Sequence, residues 1–95
     1  MAEGRPRVLG YDAGFDAWAD RLPEEHFDAI DRHMRSKTRY PQIALSSDPE
    51  DAGRFSTFVA IDDPRHPRLA GYRIDYEVTG LAVIVIAGRK IPRRR

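Results

Sequence analysis

The stretch from Gly71 to Gly88 limits the possible folds of this chain more than any other. Gly71 to Val78 alternates strictly, with Tyr72, Ile74, Tyr76 and Val78 on one side and Arg73, Asp75 and Glu77 on the other. That is the period of a strand with one covered face and one wet face. Thr79 and Gly80 turn the chain into Leu81 to Ala87, a continuous aliphatic run expected of a strand that is covered on both sides or central in its sheet. Gly88 is expected to end it. Two such strands joined by a tight turn form an antiparallel hairpin, and a hairpin alone is at best marginally stable in water. The rest of the chain must therefore supply a cover for the apolar face.

Upstream, Phe55, Thr57, Val59 and Ile61 alternate with Arg54, Ser56, Phe58 and Ala60, a third strand with apolar residues on both faces. Asp62 to Arg68 carries Pro64 and Pro67 and reads as a stiff connection. Near the start, Arg7 to Tyr11 reads as a short strand, and Asp12 is placed to cap a helix built on Phe15, Trp18, Ala19 and Leu22. Pro23 suits the first position of a second helix, with Glu24 and Glu25 at its positive dipole end and the stripe Phe27, Ile30, Met34. That helix should reach about Lys37, before Tyr40 and Pro41, and residues 42–53 turn loop-like. The order is β-α-α-β-β-β: an α+β fold in which a helix hairpin covers a small antiparallel sheet. With 95 residues, one domain spans 1–95, closing in a short basic tail at 91–95.

The net charge of +1 hides a division. Residues 1–63 hold 8 basic and 13 acidic side chains, whereas residues 64–95 hold 8 basic and only Asp75 and Glu77. Of the 16 basic residues 14 are Arg, whose planar fork grips phosphate or carboxylate bidentately. A polyanion partner fits the last third, and the acidic 42–53 segment argues against such a contact there. Without cysteine there is no disulfide, no thiolate zinc site and no thiol nucleophile. The longest apolar run falls far short of the roughly 20 residues that cross a bilayer. The polar N-terminus lacks a signal core, so no membrane and a cytoplasmic location are expected.

The run Gly71-Tyr72-Arg73-Ile74-Asp75-Tyr76-Glu77-Val78, followed by Val83-Ile84-Val85-Ile86-Ala87-Gly88-Arg89-Lys90, resembles the closing hairpin of the RelE/ParE superfamily of bacterial toxins. Val8 to Asp12, Trp18 and Leu22 resemble that family's first strand and the helix entering its hairpin. The resemblance implies a small cytoplasmic toxin held by a cognate antitoxin protein. In the RelE branch it implies an mRNA endoribonuclease acting on the ribosome without a metal or other cofactor. There a 2′-hydroxyl attacks the adjacent phosphate, which requires a base, stabilisation of the added negative charge and an acid for the leaving oxygen.

By that resemblance Arg73 stands where the family contacts the scissile phosphate, and Arg89 and Lys90 stand where it stabilises charge. Arginine stays protonated near neutral pH and acts as a stabiliser rather than a proton donor. Asp75 and Glu77 flank Arg73 and are candidates for the base. Arg54, Arg65, His66, Arg68, Arg93 and Arg94 are candidate RNA contacts, with His66 the one histidine inside the basic segment. Two departures bear on the chemistry: the Phe55 strand lacks the lysines or glutamate common in the ribonuclease branch, and no Tyr or His follows Lys90. His26 and His33 read as edge residues of the second helix, since their spacing does not match a helical i, i+4 zinc pair. Tyr72 and Tyr76 read as core, so no stacking platform for bases is evident. Three classes stay open: a ribosome-dependent endoribonuclease, a ParE-like or degenerate member acting by protein binding, and a small RNA-binding module.

Overall fold

The computed structural model describes residues 8–38, 53–79 and 81–94. Within them the order is β1 (Val8–Tyr11), α1 (Ala13–Ala19), α2 (Glu24–Lys37), β2 (Arg54–Ala60), β3 (Leu69–Val78) and β4 (Ala82–Pro92). The expected order of elements is therefore present. The helix stop at Tyr40 and Pro41, nearly all of the 42–53 loop and Gly80 of the expected turn lie outside the described residues.

The four strands form one sheet in the order β1-β4-β3-β2. β2, β3 and β4 are the expected antiparallel meander, but β1 pairs parallel with β4, Val8 opposite Ala82 through Tyr11 opposite Val85. The sheet is thus mixed rather than antiparallel. A parallel neighbour needs only a long crossover, and nearly the whole chain lies between these two strands.

Asp12 caps α1 as its position implies, accepting from the Gly14 amide at 2.9 Å. Pro23 lies one residue ahead of its expected place, at the N-cap of α2. Phe15 and Ala19 of α1 and His26, Ile30 and Met34 of α2 are buried against Val59, Tyr72, Ile74, Tyr76, Val83 and Val85 of the sheet. The buried stripe of α2 therefore begins with a histidine. Trp18 joins Phe15 to Tyr72, with ring centroids 5.5 and 5.6 Å away respectively.

Gly88 does not end β4, which continues through Arg89 and Lys90 to Pro92 opposite the early start of β3 at Leu69. The glycine serves packing instead: a Cβ there would lie 2.3 Å from the Trp18 ring. β4 is central in the sheet, yet its second face is open, since Ala87 is exposed and Ile84 and Ile86 are half-buried.

Candidate functional site

On the face of β3 turned from the helices stand Arg73, Asp75 and Glu77, because Tyr72, Ile74 and Tyr76 fill the core face. The position of the basic pair on β4 depends on an irregularity. Asp75 pairs with Ala87 but Tyr76 pairs with Val85, so Ile86 is an extra residue and the register shifts there. A bulge moves every later side chain to the opposite face. Val83 and Val85 point to the core before it, and Gly88 under Trp18 and Lys90 opposite Tyr72 do so after it. Arg89 consequently shares the open face with Arg73, its direct cross-strand partner, whereas Lys90 is carried to the helix side.

The opposition of Arg73 and Arg89 is electrostatically unfavourable in itself, because like charges directly opposite on neighbouring strands destabilise a sheet. Asp75 offsets only part of it, accepting from Arg73 Nε at 3.3 Å. Arg89 is exposed and forms no ion pair among the described residues. On the other flank of Arg73, its β2 partner is Phe58, 46% exposed. The Phe58 ring lies over Gly71, where a Cβ would come within 2.8 Å of it and 2.1 Å of the Val59 carbonyl oxygen. Farther along, Arg54 donates to Glu77 at 2.8 Å, so that pair is largely self-neutralising. One aromatic ring and two cross-strand guanidiniums thus share an open sheet surface.

Lys90, His66 and Arg68 assemble elsewhere, around a cleft of about 1000 Å³ between the α1–α2 connection, the β2–β3 loop and the end of β4, with Arg21 and the edge of Tyr72 also in its wall. Arg65 is engaged: it reaches Glu25 at 3.1 Å and Asp63 at 3.4 Å, and both contacts hold its guanidinium more firmly protonated than usual. Arg93 is also engaged, donating to the carbonyls of Ile61 and Leu69 at 3.3 Å each, while its amide donates to Arg68 O. It clasps the end of β4 to the loop. Arg94 is exposed. Arg73, Asp75, Glu77, Arg89 and Arg54 therefore share the open sheet face; Lys90, Arg68 and His66 line the cleft; Arg65 and Arg93 serve the loop.

Behind the cleft lies a network that the sequence did not reveal. Buried His26 places Nε2 2.8 Å from Asp63 Oδ2 and Nδ1 2.8 Å from the Tyr72 hydroxyl. The His26 hydrogen bond and the Arg65 amide hold the Asp63 carboxyl down to about 2. Ionised Asp63 can only accept, so Nε2 carries a hydrogen, and the Tyr72 hydroxyl, which both donates and accepts, is the partner of Nδ1. Burial, then the Asp63 charge, pushes the Tyr72 phenol up. The His66 ring meets the His26 ring edge-on at 4.9 Å between centroids. The available signal was the continuation of the buried stripe Ile30, Met34 back to position 26, since a histidine on a core stripe requires polar partners. His33 is separate: it bonds Thr57 at 3.0 Å, and burial and then Lys37 lower it.

No family model, curated protein or solved structure matches this chain. Among the described residues no helix is long and apolar enough to cross a membrane. The class defined on structural grounds is an α+β domain of two helices on a four-stranded mixed sheet.

Proposed function

We propose that the open sheet face binds the backbone of single-stranded RNA, and that the protein is a RelE-like toxin acting on ribosome-bound mRNA and neutralised by a cognate antitoxin. The observation that carries this reading is the Arg73–Arg89 opposition beside exposed Phe58. Two forks set one strand apart suit a phosphate, which would relieve their mutual repulsion. An exposed ring on the same surface suits a stacked base. The β-α-α-β-β-β order and the Gly-Tyr-Arg strand add the family resemblance.

In this reading Arg73 and Arg89 stabilise the charge gathering on the phosphate during attack by the 2′-hydroxyl. Asp75, beside Arg73, is placed to take the proton. All three histidines face the helix side or the cleft, so the leaving oxygen has no imidazole donor on this face among the described residues. That observation favours a second reading, in which the face binds RNA or a protein target without cleaving it.

The test is cell-free translation with purified ribosomes and a defined mRNA. Inhibition with discrete mRNA cleavage, lost in Arg73→Ala and Arg89→Ala, supports the nuclease. Binding of single-stranded RNA that weakens with salt and with Phe58→Ala, without cleaved product, supports the second reading. Absence of both RNA binding and translational inhibition would refute the nuclease and the RNA-binding form of the second reading, leaving only a protein target for this face.

A further inference from the structure

We propose that His26, Asp63 and His66 form a binding site for one divalent cation of the zinc class. One ligand atom from each residue lies within 4.8 Å of the other two. Two imidazoles and a carboxylate are a donor set that zinc accepts, with a fourth tetrahedral position left for water.

His26 Nε2 and Asp63 Oδ2 already face one another at 2.8 Å. A metal held at about 2.0 to 2.2 Å from each would set them roughly 3.3 Å apart in a tetrahedron, an opening of about half an ångström. His66, on an exposed turn, has the freedom to close the remaining gap, and its amide is already tied to Asp63 O at 2.9 Å.

The surroundings suit the exchange. When Nε2 takes the metal, the ring hydrogen moves to Nδ1, which then donates to the Tyr72 oxygen at 2.8 Å. A hydroxyl both donates and accepts, so Tyr72 serves either tautomer, and a second hydrogen bond from the far nitrogen is how metal-bound histidines are ordinarily oriented. The other carboxylate oxygen of Asp63 is fixed by the Arg65 amide at 3.0 Å, which leaves Oδ2, whose one partner among the described residues is the His26 nitrogen that would itself turn to the metal, as the ligand atom. His66 and Tyr72 also line the large cleft. The proposal is independent of the RNA reading, which uses the opposite face of the sheet.

The experiment is titration of the untagged, metal-free full chain with Zn²⁺ by calorimetry, repeated with Co²⁺ to read the visible bands of a tetrahedral site. One equivalent bound and a raised Tm are expected. His66→Ala, which leaves the His26–Asp63–Tyr72 network intact, should keep the metal-free Tm and weaken binding by about tenfold or more, given that even supporting residues around a metal matter by 10–100-fold. His33→Ala should bind as the parent does. No bound equivalent in the parent, or equal binding by His66→Ala, would overturn the proposal.

Discussion

Single atoms at three positions have measurable consequences. Adding a methyl group at Gly88 drives it into the Trp18 ring. Overpacking of this kind costs about 1–3 kcal/mol, so Gly88→Ala should lower the urea midpoint accordingly, and Trp18, the sole tryptophan, reports the transition by its own fluorescence. In the Trp18→Phe background, followed by circular dichroism, the loss should shrink. Tyr72→Phe strands the Nδ1 of buried His26, an unmet group worth about 1–3 kcal/mol, a loss that the urea midpoint should show. Asp63 gives a pH signature. Its carboxyl is depressed from 3.8 to about 2 by the hydrogen bond from His26, then the Arg65 amide, so its contribution is complete above about pH 4 and disappears as pH falls toward 2. Denaturant unfolding across that window should show a steeper acid loss in the parent than in Asp63→Asn; equal slopes would sink the assignment.

At the level of elements, β4 behaves as two half-strands joined at Ile86, and the bulge sends Arg89 and Lys90 to different faces. The Arg73–Arg89 opposition should therefore carry a stability cost that function retains. Arg89→Thr is expected to raise stability by roughly 0.2–1 kcal/mol, the range for cross-strand pairs, while weakening RNA binding; a loss of stability on this change would show that Arg89 supports the sheet. The sequence disclosed much of this arrangement. Strict alternation from Tyr72 to Val78 placed Arg73 on the open face, and the helical stripes placed Phe15, Ile30 and Met34 inside. It concealed the faces of Arg89 and Lys90, because an aliphatic run has no alternation in which an inserted residue can be seen. It also concealed the Asp63–His26–Tyr72 contact, which depends on a loop meeting a helix 37 residues away. Phe58 looked like a second core face; its exposure follows from β2 standing at the sheet edge with no layer behind it.

For the molecule as a whole, the core phenols set an alkaline limit. Burial pushes Tyr76 up to about 12 and also raises Tyr11 and Tyr72. Groups whose pKa is raised on folding contribute in full below their ordinary value near 10, and their contribution is lost as pH climbs toward 12. Stability measured from pH 9 to 12 should fall across that interval, and Tyr76→Phe should soften the fall. The parallel pairing of β1 with β4 has an effect before any of this can be measured. Val8 to Tyr11 has no strand partner until Ala82 to Val85 exists, so on the ribosome the first strand waits for almost the entire domain to emerge. A chain released early would leave two apolar edges, on β1 and β3, open to other chains. Completion of β4 thus joins the two halves of the sheet and covers the edges of β1 and β3 that face it, leaving only the outer edges of β1 and β2.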